Sequence, residues 1–356
     1  MPSSTNKVIT FIVPAYNVER YIGQCLESLV RQTSKRFCAI VVDDGSTDGG
    51  TARIAQEYAA AHSGLIYYVR QDNKGLGAAR NTGLSRVKTP FVTFLDSDDW
   101  LDVRYVETVL NMMERWNDDA VDIVFTLPTI YDTITNQMWD WNDADLFRRI
   151  FPANCPVVEA AADARLFDLE PSVCRRILRT DFLKRISFRF PEGTRWEDVL
   201  PHFQMLSRAK RCMGIGEVGF FYRINVPTSI TATGSRSRLE VASVFRSVFK
   251  YLESEGAPAY VVHSAMRMCV HFSMWSVSLA QQGVRRKLIE VLHELYTSLP
   301  KHIIKGTLPS LSRKERLFVS VVKNRMLFKL LFDYLPASAA QILFDKLRAV
   351  KRRLHL

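Results

Sequence analysis

A group of carboxylates follows a short apolar run early in the chain. Residues 91–95 predict a buried β-strand, and Asp96, Asp98 and Asp99 come immediately after it. Because side chains alternate along a strand, Asp96 and Asp98 should share a face at its carboxyl end, where open α/β sheets bind ligands. Carboxylates this close repel each other, and a divalent cation held together with phosphate oxygens relieves that repulsion. The motif therefore predicts a metal and a phosphorylated ligand, although taken alone it also fits a polar turn.

Strand and helix patterns alternate before this motif. Apolar runs at residues 8–13, 37–42 and 65–69 predict three further buried strands. Helical periodicity fills the intervals between the runs, and Asn17 is placed to cap the first helix. This alternation predicts an α/β fold in which a mostly parallel sheet is covered by helices on both faces.

The middle of the chain is less regular. Residues 121–125 predict another strand, whereas residues 131–168 are aromatic, acidic and irregular, which suits an insertion or an acceptor-facing lobe. Glu197 and Asp198 stand at the start of a predicted helix, and residues 219–223 predict the last strand of the domain. The chemistry-bearing residues therefore fall in the first two thirds of the chain.

The last third of the sequence is helical in pattern and basic. We predict a first domain at residues 1–235 and a helical region at 236–356. Residues 301–356 contain 13 Lys and Arg against three acidic residues, a net charge of +10, which leaves +1 for the rest of the chain. From about residue 312 onward, apolar helical faces are flanked by these cations, a pattern typical of helices in an anionic membrane interface. The alternative is that the apolar stripes pack on the protein and the basic face is solvated.

Composition excludes several other classes of protein. The six cysteines are widely spaced and form no C-x-x-C motif, so we expect reduced core thiols and no disulfide or zinc framework. The chain shows no signal-peptide pattern and no apolar run near ~18 residues. We expect a cytoplasmic protein, peripheral on the inner face of the cytoplasmic membrane. No nucleic-acid partner is predicted, because no recognition motif accompanies the basic tail. The sequence does not decide whether the protein forms an oligomer.

Six segments of the sequence, in this order, resemble those of a known family. They are residues 12–17 (IVPAYN), 41–48 (VVDDGSTD), 71–81 (QDNKGLGAARN), 94–99 (FLDSDD), 196–198 (WED), and 222–223 (YR) with 229–231 (SIT). The family is that of the family-2 glycosyltransferases, of the type that acts in bacterial surface-polysaccharide synthesis. The resemblance covers about the first 230 residues and implies the GT-A nucleotide-binding fold, here followed by an all-α region.

The resemblance also implies a nucleotide-sugar donor, usually a UDP-sugar, together with Mn²⁺ or Mg²⁺. Asp96 would contact the ribose or the metal, and Asp98 would bind the metal that bridges the diphosphate. Such a metal offsets the charge on the departing diphosphate as a Lewis acid. Asp43 or Asp44 would accept the uracil N3 proton, and the other would serve the turn. The implied donor-binding residues are Pro14, Tyr16, Asp43, Asp44, Asn73, Arg80, Asp96, Arg223 and Ser229.

The family keeps its general base in the position of Asp198, within the pair Glu197–Asp198. A carboxylate within ~3 Å of the acceptor hydroxyl can remove its proton as the new bond forms. One base without a second, nucleophilic carboxylate implies inversion at the anomeric carbon. The alternative role for the pair is to favour the helix N-terminus through the helix dipole.

The predicted activity is metal-dependent, inverting transfer of a hexosyl or N-acetylhexosaminyl group to a hydroxyl of a glycan or lipid-linked acceptor. Nucleotidyl transfer to a sugar phosphate is a second candidate, but it needs a Gly-rich phosphate loop after the first strand, where residues 14–17 read PAYN. A catalytically idle nucleotide-sugar-binding subunit of a membrane assembly is a third. It is hard to reconcile with the presence of Asp96, Asp98 and Asp198.

Overall fold

The computed structural model describes residues 6–116, 119–154, 156–216, 218–226 and 236–324. The chain divides into two compact units, Met1–Ala232 and Thr233–Leu356. A domain boundary near residue 235 remains a prediction, because residues 227–235 lie outside the described ranges.

Strands and helices alternate through the first unit. Its strands are β1 (Ile9–Ala15), β2 (Phe37–Asp43), β3 (Ile66–Arg70), β4 (Phe91–Phe94), β5 (Trp100–Leu101), β6 (Val121–Thr126), β7 (Thr129–Asp132), β8 (Met138–Asp140), β9 (Val157–Glu159), β10 (Arg176–Arg179), β11 (Arg211–Ile215) and β12 (Phe220–Ile224). Its helices are α1 (Ile22–Val30), α2 (Gly50–Ala61), α3 (Leu76–Leu84), α4 (Tyr105–Trp116), α5 (Ala144–Ile150), α6 (Thr180–Arg185) and α7 (Val199–Leu206).

Within the described part of this unit, the large sheet has eight strands in the order β3-β2-β1-β4-β10-β6-β11-β9. Strands β3, β2, β1 and β4 are parallel to one another, as their apolar runs predict. Every residue of β1 and of β6 is buried, as expected for sheet strands covered on both faces. The carboxyl ends of β1, β2 and β4 therefore meet at one edge of the sheet.

The sheet is mostly parallel, as predicted: in the described structure six of its eight strands run in one direction, and β10 and β9 run the other way. Strand β10 runs antiparallel to both β4 and β6, and β9 runs antiparallel to β11. Strand β10 has no apolar run to reveal it, because Arg176 and Arg179 stand at its ends around the buried pair Ile177 and Leu178. Burial of the Arg176 guanidinium is a tertiary effect that local pattern does not show.

Two local predictions are wrong. Asn17 does not cap a helix: it has a φ of +52°, and α1 begins at Ile22 with Tyr21 in the N-cap position. Instead, the Asn17 side-chain oxygen accepts hydrogen bonds from the backbone amides of Thr47 (2.8 Å) and Asp48 (3.2 Å). Residues 131–168 are also more regular than predicted, since they contain β8, α5 and β9.

A second, four-stranded sheet lies in the same unit, with the order β5-β12-β7-β8. Strand β12 pairs antiparallel with β5 and parallel with β7. Strand β5 begins at Trp100, directly after the acidic motif, so this second sheet starts beside that motif.

The described part of the second unit is helical. It contains α8 (Glu240–Ser254), α9 (Ala259–Leu279), α10 (Gln282–Ser298), α11 (Lys301–Thr307) and α12 (Arg313–Lys323). In α12, Val319 and Val322 are buried, and the Phe318 ring meets the Tyr296 ring at 6.5 Å, whereas Leu317 is 63% exposed. Part of this apolar face thus packs within the unit, and the tail from residue 325 lies outside the described residues. Among the described helices, none has the length and apolarity to cross a membrane.

Candidate active site

The acidic motif forms a turn at the edge of the large sheet. After β4 the Leu95 amide still bonds to the Ile12 carbonyl, and the Asp99 amide then donates to the Asp96 carbonyl at 3.0 Å. Burial, with the neighbouring Asp96 carboxylate, raises the pKa of Asp98 to about 6. Burial is the main cause that raises the pKa of Asp99 well above its usual range, and the negative charges of Asp98 and Asp96 raise it further. The turn therefore gathers carboxylates whose negative charge is poorly compensated.

Arg80 connects this turn to the Glu197–Asp198 pair. Its buried guanidinium donates from Nη2 to Asp96 Oδ1 at 3.0 Å. Its Nη1 donates to Glu197 Oε1 at 2.7 Å and to Asp198 Oδ1 at 2.8 Å. The sequence motif assigned Arg80 to the donor, whereas its contacts in the described structure are to these three carboxylates. One cation thus holds the proposed metal ligand Asp96 and the proposed base Asp198 next to each other.

The two adjacent carboxylates of the pair differ in access to solvent. The Asp198 side chain is 21% exposed and the Glu197 side chain 6%. Burial raises the pKa of Glu197 to about 8, against the lowering effect of Arg80, and its buried Oε2 has no hydrogen-bond partner among the described residues. Asp198 precedes α7 but makes no side-chain cap bond there; its Oδ2 accepts from the Val173 amide at 3.1 Å. These contacts leave Asp198 as the member of the pair that a substrate can reach.

Helix α3 also anchors the backbone that leads to this pair, a role that the sequence analysis missed. The Asn81 side chain accepts from the Phe190 amide at 2.9 Å and donates to the Phe190 carbonyl at 3.0 Å. One turn earlier, a Cβ on Gly77 would lie 2.1 Å from the Pro191 carbonyl oxygen, so only glycine permits this approach. Gly77, Arg80 and Asn81 lie within the motif at residues 71–81, and their three- and four-residue spacing on one helix face was the available signal.

Asp43 and Asp44 lie at the carboxyl end of β2, and both are buried. Asp43 accepts from the Ser46 amide at 2.8 Å and from the Tyr68 hydroxyl at 2.7 Å. Asp44 accepts from the Lys74 and Gly75 amides at 2.9 and 2.8 Å. Both carboxylates therefore shape loops at this edge in the described structure.

Three further residues predicted to bind the donor, Pro14, Tyr16 and Asn73, lie at the same edge. Pro14 is buried in β1, and Tyr16 follows the strand with 47% of its surface exposed. Asn73 is exposed in the loop that Asp44 holds. Ser229 lies outside the described residues.

Arg223, on β12, packs against the acidic turn. Its backbone amide donates to Asp99 Oδ1 at 2.8 Å, and its Nε donates to the Asp98 carbonyl at 2.6 Å. A third bond joins its Nη2 to Gln24 Oε1 at 2.8 Å. The guanidinium is thus fixed beside the proposed metal ligands.

The carboxylates at this edge could hold a divalent cation only if a bound substrate supplied further ligand oxygens. Among the described residues, no group of three or more His, Cys, Asp or Glu is arranged to hold a metal by itself. However, Asp96, Glu197 and Asp198 share one guanidinium, and Asp99 Oδ2 is buried without a hydrogen-bond partner. This excess of negative charge suits Mg²⁺ or Mn²⁺ bound through one or two carboxylates and completed by substrate phosphates.

Known proteins resemble this chain in sequence and in fold. Residues 10–169 match the model of Glycosyl transferase family 2. Over 111 residues the chain is 45% identical to Glycosyltransferase GlyA of Streptococcus pneumoniae, a match that covers 31% of this chain and 16% of that protein. The chain spans less than a third of the length of the first curated relatives it matches, the largest share being 32%.

Solved structures share the fold at low sequence identity. TarS 1–349 of S. aureus, in complex with UDP-GlcNAc, has a TM-score of 0.69 and 19% identity, covering 89% of this chain and 87% of that one. The mannosyltransferase PcManGT of Pyrobaculum calidifontis, in complex with GDP-Man and Mn²⁺, has a TM-score of 0.53 and 17% identity, covering 93% and 89%. The match over residues 10–169 thus identifies a glycosyltransferase family 2 domain within the first unit, and the likeness to TarS shows that its fold is GT-A.

Proposed function

We propose that this chain is an inverting, metal-dependent glycosyltransferase that moves a sugar from a UDP-sugar to a hydroxyl of a glycan or lipid-linked acceptor in surface-polysaccharide synthesis. The observation that carries the proposal is the Arg80 guanidinium, which holds Asp198 beside Asp96. A base and a diphosphate-binding carboxylate must flank the same anomeric carbon, and this contact puts them side by side. The UDP-GlcNAc complex of TarS, which has the same fold, supports a UDP-sugar as donor.

Asp198 accepts the proton of the acceptor hydroxyl in this proposal. The acceptor oxygen forms its bond to the anomeric carbon, the bond from that carbon to the diphosphate oxygen breaks, and the electron pair leaves with the nucleoside diphosphate. Glu197 is buried on Arg80, so in this proposal it does not act as a nucleophile and no covalent intermediate forms. A single displacement inverts the configuration of the anomeric carbon.

Asp96 and Asp98 would hold Mn²⁺ or Mg²⁺ with the donor diphosphate. The cation would supply Lewis-acid stabilisation of charge on the leaving group. Arg223 keeps the Asp98–Asp99 backbone in place, and in this proposal it also binds the diphosphate together with Ser229. The Mn²⁺ complex of PcManGT supports a metal on this fold.

The nucleoside end of the donor would lie along β1 and β2. Tyr16 is exposed just past β1 and can pack on the base, with Pro14 shaping the floor beneath it. Asn73 is exposed in the loop that Asp44 holds. Asp43 or Asp44 would contact the edge of the base. Arg80 would act here through the carboxylates it holds.

We also propose that the basic tail holds the enzyme at an anionic membrane surface. Its net charge of +10 over residues 301–356 is the support. In the described part, Arg313, Lys314 and Arg316 are exposed on α12 beside Leu317. A lipid-linked acceptor would then be presented at the same surface.

A panel of donors tests the proposed activity. Thermal unfolding is followed with UDP-GlcNAc, UDP-glucose or GDP-mannose, each with Mn²⁺ or with EDTA. We expect at least one UDP-sugar to raise the Tm only with Mn²⁺, and Asp98→Ala to abolish that shift while Asp181→Ala, an exposed surface aspartate, keeps it. Equal protection in EDTA, or an undiminished shift in Asp98→Ala, would show that the metal assignment is wrong.

A further inference from the structure

One face of the four-stranded sheet carries aromatic side chains beyond the proposed donor site. In the strand register, Trp100 lies opposite Phe221, and Tyr131 lies between Arg223 on one neighbouring strand and Met138 on the other. Because side chains alternate along each strand, these five residues point to the same side of the sheet. We call this surface the aromatic face.

The two sides of this sheet differ in burial. On the opposite side, Leu101, Phe220 and Ile130 are buried. On the aromatic face, by contrast, Trp100, Phe221, Tyr131 and Arg223 are all partly exposed, and Met138 is 52% exposed. A contiguous exposed patch of large apolar side chains is uncommon on a soluble domain unless it binds something.

The rings of the aromatic face contact one another. Trp100 stacks on Phe221 with 5.1 Å between centroids and 13° between planes, and it meets Tyr131 edge-on at 5.2 Å. The Arg223 guanidinium carbon lies 4.5 Å from the Trp100 ring centroid and 5.7 Å from that of Tyr131. A cation so close to two ring faces stabilises their positions, so the surface is preformed.

The aromatic face begins at the proposed metal site. Trp100 follows Asp99 directly, and the Arg223 amide bonds to the Asp99 carboxylate at 2.8 Å. From Trp100 on β5 the face crosses β12 and β7 to Met138 on the edge strand β8. Three strand spacings amount to about 14 Å. A molecule lying on this face would therefore have one end at the proposed reaction centre.

We propose that the aromatic face binds the acceptor and that this acceptor is a carbohydrate chain of more than one sugar unit. A pyranose ring has an apolar C–H side that packs on aromatic rings and hydroxyls at its rim that reach water or a guanidinium. The length and partial exposure of the face suit several such units in a row. The proposal rests on the proposed function, because it takes the Asp96–Asp99 turn as the donor end.

Edge strand β8 supplies a matched pair of variants. Met138 lies on the aromatic face, whereas its neighbour Trp139 lies opposite Ile130 on the other side of the sheet. Both side chains are exposed, so replacing either should leave the fold intact. Tyr131→Ala and Met138→Ala test the face, and Trp139→Ala is the control.

Binding is measured on an array of immobilised neutral and phosphate-bearing oligosaccharides and then by titration with the strongest of these in solution. We expect the wild-type protein to bind at least one oligosaccharide, Tyr131→Ala to weaken that binding about two- to tenfold, and Trp139→Ala to leave it within about twofold. Binding of no oligosaccharide by the wild type would overturn the proposal, as would unchanged binding by Tyr131→Ala and Met138→Ala.

Donor protection in the same preparations separates this proposal from the proposed function. If UDP-GlcNAc or another UDP-sugar with Mn²⁺ raises the Tm of all variants but the face variants keep full oligosaccharide binding, the aromatic face alone is rejected. If no nucleotide sugar protects the wild type, the proposed function fails as well, and the aromatic face loses its assignment as an acceptor site.

Discussion

At the scale of single residues, the geometry of the carboxylates separates their roles better than the motif alone. Glu197 and Asp198 are neighbours in sequence and both contact Arg80, but only Asp198 keeps substantial access to solvent. The sequence analysis already identified Asp198 from its motif position. It had no means of finding that Arg80 binds the carboxylates, because that contact joins residues more than a hundred positions apart.

Replacing Asp198 by asparagine should slow the chemical step and leave donor binding nearly unchanged. The amide has almost the same size as the carboxylate but cannot accept the proton, and loss of a general base typically costs about 10²- to 10⁴-fold in rate. Single-turnover rates and donor Kd values measured on the same preparation test this. The control is Asp181→Asn, the same change at an exposed surface position. Equal losses of rate and of donor affinity would indicate a structural role instead.

His202 should make the stability of the protein sensitive to mild acid. Burial, with Arg176 nearby, holds the pKa of His202 well below its usual range, so the folded state keeps it neutral. The unfolded chain protonates this histidine below a pH of about 6.5, and stability should then fall by up to about 1.4 kcal/mol per pH unit between pH 6.5 and 5. Urea unfolding across this range measures the slope. His202→Gln should reduce it, and an unchanged slope in that variant would contradict the assignment.

At the scale of elements, helix α3 links the donor edge to the base. Gly77 permits the close approach of the Pro191 carbonyl, Arg80 holds the carboxylates, and Asn81 bonds both backbone groups of Phe190. The helix thus fixes the segment that leads to Asp198.

Asn81→Ala should therefore lower activity through the position of Asp198. It removes two hydrogen bonds to the Phe190 backbone and leaves buried polar groups unpaired, which should cost about 1–3 kcal/mol in the free energy of unfolding. We expect kcat to fall more than donor affinity, as measured by steady-state kinetics and donor titration. Ser85→Ala, near the end of the same helix and exposed, is the control. Equal effects of the two substitutions would argue against an anchoring role.

The sequence predicted strands correctly where burial on both faces of the sheet makes the whole strand apolar. The buried strands β1, β2 and β4 are continuous apolar runs, and their carboxyl ends define the site. Strand β10 was missed because it contains the buried Arg176. The guanidinium of Arg176 is hydrogen-bonded to His202, which lies on α7, and the local sequence does not reveal that contact. Asn17 was misassigned because its side chain bonds a neighbouring loop, which no local pattern encodes.

At the scale of the whole molecule, the sequence separates the acidic edge of the proposed active site, in the first unit, from a basic end in the second. Helix α12 buries Val319 and Val322 within its own unit, so a deletion meant to test membrane binding should begin after Asn324. The informative truncation point is therefore residue 324, and not residue 312, where the basic amphipathic pattern begins.

A chain ending at residue 324 should lose binding to anionic liposomes and keep donor-dependent thermal protection. Each basic residue near an anionic surface contributes about 1 kcal/mol, and this truncation removes seven of the thirteen Lys and Arg in residues 301–356. Sedimentation with phosphatidylserine-containing vesicles at low and physiological salt measures it, with phosphatidylcholine vesicles as the control. Binding by the full chain should weaken with salt because charge screening shortens its range. Unaltered binding after truncation would place the membrane contact elsewhere.

The central claim is that Asp198 directs a single displacement at a carbon held beside Asp96 and Asp98. Time-resolved ¹H NMR of the sugar first released from an α-linked UDP-sugar, with Mn²⁺ and with water as acceptor, tests it without a known acceptor. The account predicts that the β-anomer appears first, before mutarotation, and that Asp198→Asn slows its release. First appearance of the α-anomer would contradict the account.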